Sequence, residues 1–239
     1  VGNRVRTPNL ARVMQEVVSR PNWKPGMPIM FLFGHLADNG VRWVESVGDF
    51  PPTLQFEYLF WSGASWVIPH ATSPVEETVM AEATAEENEV NGAMYTTSTD
   101  LELMHDGADG EQVVGMRFAG INIPGPRDVG WTGLQTVASA VIRMTVDEVK
   151  EESAQRVMVA IWAEAADNAA PITESVGVGS DWAEREHNTL VPYELSLRPA
   201  TEASQVWMPP TDGDWASEGS SVLTPDLAAV LQEGVSRPG

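Results

Sequence analysis

A chain of 239 residues with 20 Gly, 17 Pro, nine Trp and no Cys is long enough for one large domain or two small ones, with ample core. That balance points to short strands joined by turns, and the lack of Cys removes both a disulfide framework and thiol chemistry. A formal charge of −20 argues against nucleic acid and anionic membrane surfaces as partners, and no apolar run approaches the ~18 residues of a membrane span. The acidity reads as solubility, or as a surface that tolerates crowding or binds divalent cations. No signal or transit segment is visible at Val1, so a mature or trimmed form is expected.

The first element is repeated. Residues 7–22 read TPNLARVMQEVVSRPN, and residues 224–239 read TPDLAAVLQEGVSRPG, with eleven of sixteen positions identical. Each copy predicts one short amphipathic helix. Thr7 and Thr224 stand as caps before a Pro in the first turn. Leu10, Val13, Met14, Val17 and Val18 in one copy, and Leu227, Val230, Leu231 and Val235 in the other, follow at helical spacing. Arg20 and Arg237 suit a last turn, and Pro21 and Pro238 stop it. Gly234, in place of Val17, weakens the second copy by about 1 kcal/mol.

After the first helix, MPIMFLFGHL (27–36) predicts a buried strand, Ala37-Asp38-Asn39-Gly40 a turn, and VRWVESV (41–47) a further strand. TLQFEYLF (53–60) alternates Leu54, Phe56 and Tyr58 inward against Gln55 and Glu57 outward. Residues 61–74 read as a linker. The acidic stretch 75–92 fits an exposed helix, but strand plus loop is preferred. Strands are then expected over 93–105, 111–123, 136–149, 156–163, 193–198 and 204–209, with a turn at 106–110. Ile142, Met144 and Val146 share one face, as do Val157, Val159 and Ile161. This spacing predicts a mainly β fold, an antiparallel β-sandwich or jelly roll with one or two short amphipathic helices.

The repeat sets the expected organisation. Nothing after 224–239 matches residues 23–60, and nothing before residue 7 matches what precedes 224. Residues 1–60 therefore read as the C-terminal part of one repeat and 75–239 as the larger N-terminal part of the next. Together they are expected to complete one sandwich.

Candidate chemistry is sparse. His35, His70, His105 and His187 show no metal-ligand spacing, and no protease, hydrolase, P-loop or dinucleotide motif is present. No enzyme activity and no cofactor are expected. Asp106 and Asp109, near Asp100 and Glu102, offer hard oxygen ligands for Ca²⁺, but the full spacing of a calcium loop is lacking, so a plain hairpin turn is the preferred reading and no metal is expected. Trp43, Trp61 and Trp66 suit a sugar-stacking platform, or core and subunit interface. Leu10, Val13, Met14, Leu227 and Leu231 are the expected structural and assembly residues.

The landmarks TDLEL, DG, VGMRFAGINIP, EAADNAAPIT, TPDLAAVLQEGVSRP and PPTLQFEY resemble a repeated β-rich domain of secreted and surface proteins. They also resemble the pyrenoid-shell proteins of diatoms and other marine algae. Matching positions include Pro124, Asp167, Asn168, Pro171, Pro225 and Leu227. The resemblance implies a subunit that pairs with itself in a sheet or tube at the pyrenoid periphery in the chloroplast stroma, beside Rubisco or the pyrenoid matrix. The alternative is an extracellular sandwich module that binds polysaccharide or acts as an adhesin.

Overall fold

One long strand, β5 (Val75–Asn88), turns the corner of this protein. A computed structural model describes residues 4–60, 75–88, 93–106, 110–125, 135–172, 195–211, 215, 217 and 218. The first half of β5 pairs with β4 (Thr53–Phe60), and its second half pairs with β9 (Gly110–Phe118). The register shifts between Ala81 and Ala83, close to where β5 changes partner. An irregularity of this kind raises the local twist and bends the strand.

The bend divides one curled sheet into two faces. On one side stand β1 (Arg4–Arg6), β10 (Gln135–Thr145), β4 and the start of β5. On the other stand the end of β5, β9, β2 (Ile29–Ala37), β11 (Met158–Ala163) and β12 (Gln205–Trp207). Every pairing is antiparallel, and the fold is mainly β, in the manner of a β-sandwich. Leu54, Phe56, Ile142 and Met144 meet Phe31, Phe33, Met116, Phe118, Val159 and Ile161 in a single apolar core. Strands from residues 4–60 and from residues 75–207 alternate in this sheet: β4 lies between β10 and β5, and β2 between β9 and β11.

Two shorter strands and a second sheet complete the frame. β6 (Met94–Tyr95) pairs with β5, and β8 (His105–Asp106) with β9. β3 (Arg42–Glu45) pairs with β7 (Asp100–Leu103) as a separate two-stranded sheet. The stretch 93–105, expected as one strand, is thus three. Met104, at φ 88°, is in the left-handed region, which ends β7 and lets the chain leave β3 for β9. Asp38 takes φ 67° in the expected turn after β2, a conformation that Asp tolerates better than most residues.

The helix differs from expectation in its ends. It runs as α1 (Ala11–Val18), starting beyond Pro8. Thr7 does not cap it: the Thr7 hydroxyl accepts the N–H of Ile142 instead, and Asn9 Oδ1 accepts the N–H of Ala11. Arg20 lies past the last turn and pairs with Asp167 rather than with the helix carbonyls. Residues 195–198, expected within a strand, form a turn closed by Arg198 N–H to Leu195 O at 3.2 Å, because Leu195 is drawn into a second small core with Met30 and Leu32. A 3-10 turn, Glu151–Ala154, was not expected from the pattern. Trp61, Trp66, Asp109, Leu227 and Leu231 lie outside the described residues, as does the second copy of the helix.

Candidate functional site: the seam that holds residues 7–22

The outer edge of β10 is where local chemistry concentrates. β1 covers only Arg143–Thr145, which leaves the ladder donors further back along β10 to be met otherwise. Residues 7–15 meet them with side chains. Thr7 Oγ1 accepts from Ile142 N at 2.7 Å, Asn9 Oδ1 from Ala140 N at 2.8 Å, and Gln15 Oε1 from Val137 N at 2.5 Å. The register shift between Val137 and Ser139 alters the alternation, so all three N–H groups face this edge. Backbone bonds add to the seam: Thr7 N donates to Ile142 O at 2.6 Å, and Leu10 N donates to Ala140 O.

The apolar side of the same segment closes the core. Leu10, Met14 and Val18 are wholly buried, and Val13 and Val17 nearly so. Burying side chains of this size stabilises by roughly 1.5–3 kcal/mol each. Polar anchors then fix the far end. Glu16 accepts from Glu202 N and Ala203 N at 2.8 and 2.7 Å. Arg20 Nε and Asn22 Nδ2 each donate to one oxygen of Asp167 at 3.0 Å.

Asp167 belongs to the EAADNAAP stretch, and that loop is held by two further arginines. Arg117 Nε donates to Ala169 O, while Arg198 donates to Glu164, Ala170 O and Pro171 O. Arg198 and Glu164 are both nearly buried as an ion pair at 2.6 Å. The loop motif therefore serves as a rigid seat for the end of the repeated segment. Sequence reasoning found Leu10, Val13 and Met14 from helical spacing. It missed Thr7, Asn9, Gln15, Glu16 and Arg20 as docking groups, although their identity or near-identity in the second copy was the available signal.

Other expected residues have separate surroundings. Trp43 is 4% exposed; its Nε1 donates to Glu102 at 2.9 Å and the Lys150 ammonium lies 4.5 Å from its ring centroid, so no sugar can stack there. Asp106 pairs with Gly110 across the β8–β9 hairpin. Among the described residues no group of three His, Asp or Glu side chains is arranged to hold a metal ion. An acidic corner does form where β3, β7 and the end of β10 meet. There burial, and then the charges of Asp147, Asp49 and Asp100, raise the pKa of Glu45. Burial, Asp100, Glu148 and Glu218 likewise raise that of Asp147, against the pull of Lys150.

One cleft lies away from the seam. Trp162 lies against Gly34, so closely that a Cβ there would fall 2.5 Å from its ring. His35, Gln112 and Ser196 line the same space of about 240 Å³, and His35 Nδ1 is 3.0 Å from Glu111. No helix of the described residues is long and apolar enough to cross a membrane. No family model, curated protein or solved structure matches this chain.

Proposed function

We propose that this chain is a structural subunit without catalytic activity, which assembles with copies of itself into a sheet-like shell. In this reading the shell surrounds the Rubisco-containing pyrenoid in the chloroplast stroma and supports CO2 fixation. One observation carries self-assembly: a sandwich with one seam has, in its sequence, two copies of the segment that fills it. The pyrenoid assignment is supported by the resemblance of the EAADNAAPIT, VGMRFAGINIP and TPDLAAVLQEGVSRP stretches.

Electron microscopy of the purified full chain tests this directly. Sheets or tubes forming without added ligand are the expected result. A protein that stays monomeric across the micromolar-to-millimolar range, with and without salt, overturns it.

The cleft beside Trp162 favours a second reading, a secreted module for polysaccharide. An aromatic face beside His35, Gln112 and Ser196 has the chemistry of a sugar subsite. Saturable glycan binding by a monomer, lost in Trp162→Ala, would favour it over the shell.

A further inference from the structure

Gly34 is an unfavourable residue for the middle of β2, since glycine weakens a strand interior and often marks a close approach. Here the approach is that of the Trp162 ring, which reaches across from β11 to lie over Gly34. Trp162 and Ala160 alternate with Val159 and Ile161, which are buried in the core, so they stand on the outer face of the sheet. Gly34, Ala160 and Val206 are neighbours in one row across β2, β11 and β12, and Val206 is 49% exposed. An uncharged floor therefore runs on from the cleft. Glu111 stands at the cleft's other wall with 57% of its side chain exposed. His35 Nδ1 lies 3.0 Å from Glu111 Oε1, and His35 Nε2 lies 2.6 Å from Asp38 O. The turn at Asp38 thus fixes the imidazole, and the imidazole fixes the carboxylate. Gln112 turns its amide towards Glu102, which leaves Glu111 and Ser196 as the polar groups of the cleft that a ligand can reach.

We propose that this cleft is a subsite for one ring of an uncharged hexopyranose chain, stacked on Trp162 and donating neighbouring hydroxyls to Glu111. Such a subsite rests on the polysaccharide reading above and gives it a sugar class. The C–H face of a pyranose packs on an indole, and its hydroxyls, as donors, suit a carboxylate that only accepts. A uronate or sulfated ring would instead bring its own negative charge to Glu111, in a chain of net charge −20. A space of about 240 Å³ suits one ring, and the row from Gly34 to Val206 carries the next.

Isothermal titration of the full chain with cello-, manno- and laminarihexaose, and with a galacturonate hexamer, tests the assignment. Saturable binding of at least one neutral hexamer, and none of the uronate, is the expected result. Trp162→Ala should weaken that binding roughly tenfold. Gly34→Ala should weaken it too, because the new Cβ falls 2.5 Å from the ring and displaces it from its seat. Glu111→Gln should weaken the neutral sugar and admit the uronate. Glu111 is more than half exposed, so this variant keeps the fold, and a melting curve of each variant checks that. Uronate binding as tight as that of a neutral hexamer, and lost in Trp162→Ala, keeps the polysaccharide module and overturns the sugar class. Neutral binding that survives both Trp162→Ala and Glu111→Gln puts the sugar elsewhere on the chain and overturns the subsite. Binding of none of the four removes the polysaccharide reading and the subsite together, and leaves the shell reading standing.

Discussion

Thr7 and Ile142 hold each other twice: Thr7 N–H donates to Ile142 O at 2.6 Å, and Ile142 N–H donates to the Thr7 hydroxyl at 2.7 Å. Both groups are buried, so a lost partner leaves an unpaired N–H away from water. Thr7→Val keeps the shape and deletes the acceptor. It should cost about 1–3 kcal/mol by denaturant unfolding. Faster exchange should appear at Ile142 and leave Phe31 amide protection unchanged.

Leu10 tests the apolar half of the seam. Its side chain is fully buried between α1 and the sheet, so Leu10→Ala should cost about 2–5 kcal/mol, the spread reflecting how far the cavity collapses. Leu10→Asp places an unpaired carboxylate there and should cost more than Leu10→Ala. Chemical denaturation of both variants checks the order.

Two ion pairs should behave differently. Arg20 and Asp167 are roughly a quarter to a third exposed, so a double-mutant cycle between them should give less than about 1 kcal/mol. Arg198 and Glu164 are nearly buried, and Arg198 also serves the carbonyls of Ala170 and Pro171. Arg198→Met leaves Glu164 buried and unpaired and should cost about 3–5 kcal/mol. Equal effects from the two pairs would contradict the burial argument.

Acid should stabilise one corner of the molecule. Glu45 and Asp147 have raised pKa values, chiefly from burial and then from nearby carboxylates: Asp147, Asp49 and Asp100 beside Glu45, and Asp100, Glu148 and Glu218 beside Asp147. The folded chain therefore keeps their protons at a pH where the unfolded chain has lost them. Their contribution is fully present below the ordinary carboxylate range, about 4, and is lost as pH rises through the raised values. The melting temperature of the Asp147→Asn chain should accordingly fall less than that of the native chain as pH rises from that range to neutrality. Identical pH slopes would remove this corner as the cause.

Assembly should respond to salt. A net charge of −20 makes neighbouring copies repel, and screening shortens that repulsion from about 30 Å at 0.01 M salt to about 8 Å at 0.15 M. Turbidity and microscopy should therefore show more sheet with NaCl or Mg²⁺ than in salt-free buffer. The reverse order would mean that attractive ion pairs dominate the contact.

Alternation along a strand is a local property, and it alone placed Leu54, Phe56 and Tyr58, then Ile142 and Met144, then Val159 and Ile161, on the buried side. The mainly β antiparallel character and the helix at 11–18 were likewise legible in spacing and turn residues. Strand order was not, because β4 finds β10 and β5 through contacts between residues far apart in the chain. The same limit explains Thr7: helix signals within a few residues mark it as a cap, yet a β10 edge 135 residues away offers its hydroxyl a better donor. Arg42 is the extreme case. Its side chain is wholly buried, with its pKa lowered by desolvation to about 10; its two Nη atoms donate to the carbonyls of Val41, Gln155, Pro209 and Pro210, and the guanidinium lies over the Trp215 ring. Nothing near residue 42 announces such a site, since its acceptors come together only when β3, the 3-10 turn and the segment after β12 have packed.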